Sequence, residues 1–154
     1  MEKAILIPAN PKTDFEGGPR GNIAAYEERI KELGAVFWRL VVPGDWAAGE
    51  FPHPEIRLGY LYDVAEKMVT HVCDISWIKP MSDISYEDSQ RYSLGKYDTK
   101  EEYDERAEAF YIFHIPAIRR LEGPRPLSSF HKFKDGQPVK LVRNYCIVQD
   151  PIKI

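Results

Sequence analysis

Two tryptophans, Trp38 and Trp46, are the residues whose type most directly suggests chemistry, because an indole can stack on a planar heterocycle. Trp38 lies inside an apolar run, and Trp46 follows it beside Gly44 and Asp45. The pair reads either as two walls of a slot or as two members of a core. A second group is cationic. Arg119, Arg120, Arg125, Lys132, Lys134, Lys140 and Arg143 fall between Ile112 and Gln149, where Glu122 and Asp135 are the only acids. Bases concentrated in this way either contact nucleic-acid phosphates or form an ordinary solvated face.

Catalytic patterns are scarce. The glycine-rich dinucleotide and phosphate loops, the nucleophile elbow and the HExxH zinc motif are all absent. His53, His71, His114 and His131 are isolated in sequence, without metal-ligand spacing, although His71 and His114 are placed to meet across strands. Ser128 or Ser129 with His131 and Asp135 would supply the atoms of a triad, but the stretch reads as a polar loop. Glu101 and Glu105 sit one helical turn apart and suit a solvated face better than an acid–base pair. No catalytic residue, cofactor or metal is therefore expected.

With 154 residues, 44% of them hydrophobic and 29% charged, the chain fits one folded domain over 1–154. The net charge of −3 argues against binding nucleic acid by bulk charge alone. No apolar run approaches the roughly 18 residues of a membrane span, and Pro8 interrupts the N-terminal one. A cytoplasmic protein without membrane contact is expected. Cys73 and Cys146 form no CxxC pair and lie in apolar surroundings, so both are expected to be reduced.

The elements that would position these residues follow from periodicity. Ala4–Ile7 suggests a buried strand ending near Pro8, and the Gly- and Pro-rich residues 10–21 a loop. Asn22 is placed to cap a helix over Ile23–Leu33, whose Ile23, Tyr26, Ile30 and Leu33 share one face, with Gly34 as its stop. Ala35–Val42 reads as a strand ending at Pro43-Gly44, and Asp45–Pro54 as a loop. Ile56–Tyr62 and Lys67–Ile78 read as a hairpin, with Gly59 marking a bulge or a close backbone approach. On the second of these strands Trp77 shares a face with Val69, Cys73 and Ile75, which favours the core.

Pro80–Asp98 reads as a long outer loop, and Thr99–Ala109 as a short acidic helix opened by a Thr-x-x-Glu capping box. Phe110–Leu121 returns to strand composition with an edge or bulge at Pro116, and short strands are expected at Val139–Val142 and Tyr145–Val148. Five to seven short strands with two helices favour an α+β fold, a mixed sheet or small barrel, over a doubly wound one.

The order of these features resembles the EVE domains of the PUA-like superfamily, which also includes the YTH and ASCH domains. The likeness is carried by Ala9-Asn10-Pro11 after the first strand, Val36-Phe37-Trp38 leading to Pro43-Gly44-Asp45, Gly59-Tyr60-Leu61-Tyr62 before the Lys67–Ile78 strand, and Phe110–Phe130 with Pro124 and Pro126-Leu127-Ser128. It implies a small mixed β-barrel of five to seven strands with two or more flanking helices. It also implies recognition of a modified or flipped base, in DNA more than RNA, with Trp38 and Trp46 as cage walls, Asn10 reading the base edge and Tyr62 in support.

Arg119, Arg120, Arg125, Lys132 and Lys134 would then hold phosphates. By the same likeness the chain would be an N-terminal specificity module of an McrBC-type modification-dependent restriction protein, partnered by an AAA+ motor. A chain ending Asp150-Pro151-Ile152 without a helical cap suits a piece of such a protein. Other readings are an RNA-binding PUA-like domain, a small nucleotide- or RNA-processing enzyme, and a protein-interaction domain using the acidic helix.

Overall fold

The computed structural model describes residues 2–9, 23–41, 55–94, 97–142 and 145–151. The expected Asn22 cap and the loops at 10–21 and 45–54 lie outside these residues. β1 (Lys3–Ala9) grows from the N-terminal apolar run and is buried on both faces at Ala4–Ile7, as a central strand must be. α1 (Ile23–Leu33) has the expected bounds; Ile23 and Tyr26 are buried, and Ile30 packs against the same core. Gly34 closes the helix at φ +84°, donating its N–H to the Ile30 carbonyl at 2.7 Å.

β2 (Val36–Val41) follows. The expected hairpin forms between β3 (Leu58–Asp63) and β4 (Met68–Asp74). Its turn is held by the Asp63 carboxylate, which accepts from the N–H groups of Ala65 and Glu66 at 2.8 and 3.1 Å. Beyond it come β5 (Trp77–Pro80), α2 (Tyr86–Tyr92), α3 (Lys100–Arg106), β6 (Phe110–Ile115), β7 (Ala117–Arg125) and β8 (Cys146–Gln149).

The strands form a large five-stranded sheet, β7-β4-β3-β1-β8, and a small three-stranded sheet, β2-β6-β5. In the large sheet β1 and β3 are parallel and the other pairs antiparallel; the small sheet is antiparallel throughout. The architecture is α+β with a mixed sheet, and the described strands do not close into a barrel.

Eight strands stand among the described residues, where five to seven were expected. Two stretches that read as single strands each divide between the sheets. Lys67–Ile78 leaves the large sheet after Asp74, and Trp77 re-enters in the small one opposite His114. Trp77 therefore packs with Phe37 on the outer side of the small sheet and not with Val69, Cys73 and Ile75. Phe110–Leu121 divides at Pro116, whose missing N–H suits the junction where the chain leaves β6 for β7.

Pro80–Asp98 is not a plain loop. Ser85 accepts the Asp88 N–H at 3.1 Å and caps α2, which Gln90 ties to the Tyr97 backbone through two hydrogen bonds of 2.9 Å. Thr99 caps α3 from the expected position by accepting the Glu102 N–H at 3.1 Å. Val139–Val142 forms no strand; Val139 and Val142 instead pack as an irregular cover on the large sheet.

Three apolar clusters result. One lies between the sheets and α1 and includes Ile5, Ile7, Trp38 and Phe113. Another covers the opposite face of the large sheet, where Tyr60 and Leu6 meet Phe130 and Val139. The last joins the outer face of the small sheet to Met81, Ile84 and Tyr103.

Gly59 is a close approach: a Cβ there would lie 2.8 Å from the buried Cys73 Sγ. Gly59→Ala is expected to destabilise the protein by about 1–3 kcal/mol, as overpacking does, read from urea denaturation. An unchanged midpoint would contradict this packing.

Candidate nucleic-acid interface

Trp38 projects from β2 on the side of Val36 and Leu40, as its alternation predicts, and is 5% exposed. Its indole stacks on the Tyr26 ring at 4.3 Å and 16°. The same cluster holds Ala9, the last residue of β1, and Ile23, the first of α1. β1, α1 and β2 thus contribute to one core, within which α1 meets β2 through the Tyr26–Trp38 stack. Asn10 directly follows Ala9 in sequence, and Trp46 follows the end of β2; both lie outside the described residues.

Tyr62 is not brought to this point. It is half-buried opposite Pro8 and Val69 and packs into the cluster of Tyr60 and Phe130, on the other face of the large sheet. Tyr26 was legible only as part of a helix face, since periodicity does not say which ring it will cover.

The five phosphate-binding candidates divide in two. Arg119, Arg120 and Arg125 lie on β7, one outer strand of the large sheet; the first two are exposed and Arg125 is half-buried. Arg119 donates to Asp74 Oδ2 at 2.9 Å, and Arg120 stands opposite His71. Lys132 bridges to Val148 on β8, the other outer strand, and Lys134 lies in the adjoining turn. The two groups therefore flank the sheet and do not form one patch.

The histidines do not meet. His71 pairs with Leu61 and Arg120 in the large sheet, whereas His114 pairs with Phe37 and Trp77 in the small one. The expected encounter across strands fails because β4 and β6 belong to different sheets. Among the described residues, His, Cys, Asp and Glu side chains form no group able to hold a metal ion. Ser129 Oγ donates to the Pro126 carbonyl at 2.8 Å, and Asp135 accepts the Gln137 N–H at 2.9 Å, so each serves its own turn. Glu101 and Glu105 are exposed on α3. Both cysteines are free, and burial pushes the Cys73 thiol up to about 12, which makes it a poor nucleophile.

His71 is 8% exposed; its Nδ1 lies 2.7 Å from Thr70 Oγ1, and its Nε2 lies 4.0 Å from Glu27 Oε1. Burial lowers its pKa below the ordinary 6.5, against the opposing pull of Glu27. Desolvation prevails because the ring is largely enclosed and the carboxylate is at the limit of ion-pair distance. As pH falls, the unfolded chain takes up this proton first, so stability is held above 6.5 and declines below it. His71→Gln is expected to give a shallower acid decline in thermal unfolding; a profile identical to wild type would contradict the assignment.

No protein-family model, curated protein or solved structure matches the chain.

Proposed function

We propose that the chain is a PUA-like, EVE-like module that binds nucleic acid by holding a modified or flipped base against aromatic side chains, in DNA more than in RNA. The observation that supports this reading is the Trp38–Tyr26 ring stack between β2 and α1, in a core that β1 shares, with Asn10 following β1 and Trp46 following β2 in sequence. The mixed large sheet facing a small antiparallel one is compatible with a PUA-like arrangement.

Because Trp38 is 5% exposed and lies against Tyr26, its part is to anchor the floor, and Trp46 supplies the ring that meets the base. Asn10 reads the base edge. Tyr62, on the opposite face, contributes through the sheet and not through contact.

Energetics require a further contribution. Extruding a base costs a few kcal/mol, and stacking returns about 1–3 kcal/mol, so phosphate contacts add the remainder. Arg119, Arg120 and Arg125 on β7, with Lys132 and Lys134 beside β8, provide it from two sides. A cytoplasmic restriction module acting with an AAA+ motor is the setting that the EVE likeness suggests.

The test is titration of a fluorescently labelled, base-methylated duplex. Trp46→Ala is expected to weaken binding about 5- to 150-fold, the equivalent of losing one stacking contact. Unchanged affinity in that variant would overturn the proposal, and preference for structured RNA would redirect it to RNA.

A further inference from the structure

A groove lies on the large sheet beside Tyr60. Arg57, Leu58, Tyr60, Val72, Asp74, Ile75 and Arg119 line this groove of 530 Å³, within the roughly 300–1,000 Å³ range of small-molecule sites. Its floor is sheet register: Leu58 stands opposite Asp74, Tyr60 opposite Val72, and Val72 opposite Arg119, so three adjacent strands, β3, β4 and β7, turn these side chains to one face. Phe130 packs edge-on against Tyr60 at 5.1 Å and covers part of that face. Leu58 and Val72 supply the apolar surface, and Asp74 and Arg119 the polar edge.

We propose that this groove binds the guanine base of a nucleotide. Asp74 and Arg119 are joined by one contact, Nη1 to Oδ2 at 2.9 Å, with side-chain exposures of 41% and 54%. A carboxylate can accept about four hydrogen bonds and a guanidinium can donate five, so the single contact between them leaves both groups capacity for a ligand. Side by side they present an acceptor next to a donor. Guanine matches this edge best: its N1–H and N2 amino group donate to the carboxylate while O6 accepts from the guanidinium. Adenine offers one donor beside one acceptor there, and cytosine one donor beside two acceptors, so neither gives the carboxylate two donors.

Exposed ion pairs add little to stability, so altering this one leaves the fold intact. Arg57 lines the same groove, and two guanidinium groups against one carboxylate suit an anionic nucleotide. The slot shares Ile75 with the Trp38 cluster and Arg119 with the phosphate contacts proposed above, but its base is held by Asp74 and Arg119 and not by Trp46.

The experiment is methyl NMR titration of the full chain with GMP, AMP and CMP. GMP is expected to shift the Leu58 and Val72 methyls and to bind about tenfold more tightly than the other two, the worth of one hydrogen bond to a charged group. Asp74→Asn and Arg119→Gln are expected to bring GMP to the level of AMP, whereas Trp46→Ala leaves GMP binding unchanged. Equal affinity for the three nucleotides, no shift at these methyls, or a GMP preference that survives Asp74→Asn would each overturn the assignment.

Discussion

Trp38→Ala is expected to cost about 3–5 kcal/mol of folding stability, the usual toll of truncating a buried tryptophan to alanine. The indole is 5% exposed and lies face to face with Tyr26, so its loss leaves a cavity between β2 and α1 in the core. The measurement is chemical denaturation at neutral pH, with Trp38→Phe as the companion variant that keeps a ring against Tyr26 and loses less. A Trp38→Ala protein as stable as wild type would show that this ring does not anchor α1 on β2. Weakened nucleic-acid binding in that variant would carry little meaning by itself, and for this reason the binding test uses Trp46.

Tyr60→Phe is the second large effect. Tyr60 is fully buried, and its hydroxyl donates to Asp150 Oδ1 at 2.7 Å, while Asp150 is itself 2% exposed. A hydrogen bond to a buried carboxylate contributes about 1.5–3 kcal/mol, and the phenylalanine variant is expected to lose about that much. Burial, with Asp150 in support, raises the Tyr60 pKa well above its ordinary 10.0. The unfolded chain therefore releases this proton first as pH rises, so the stabilisation is whole below 10.0 and declines above it. Urea midpoints at neutral and alkaline pH measure both effects: Tyr60→Phe starts lower and falls less steeply. Equal slopes for the two proteins would contradict the assignment.

Local rules served well where one element settled its own fate. α1 followed from Ile23, Tyr26, Ile30 and Leu33 on one face, and the α3 cap from Thr99 three residues before Glu102. The β3–β4 hairpin followed from two apolar runs around a polar turn, and the tight packing at Gly59 from the absence of a side chain. What local pattern does not encode is the sheet to which a strand belongs. Apolar alternation runs through Asp74, Ile75 and Ser76 almost without a break, yet the chain changes sheets there. The same is true around Pro116.

The candidate site was legible to a similar degree. Alternation placed Trp38 on the Val36 and Leu40 face, but the Tyr26 stack depends on how α1 packs across the sheet. Arg119 and Arg120 are neighbours in sequence, but one stands opposite Val72 and the other opposite His71, on alternate faces of β7. A count of basic residues could not separate them, nor could it show Lys132 lying beside β8. The Asp74–Arg119 pair comes from residues far apart in sequence and carried no local signal.

The central claim is that this chain distinguishes one base by its chemistry. It is tested most directly by measuring the affinity of the wild-type protein for two duplexes identical except for a single base methylation. The modified duplex is predicted to bind about 5- to 150-fold more tightly, corresponding to about 1–3 kcal/mol of edge and stacking discrimination. Equal affinity for the two would contradict it.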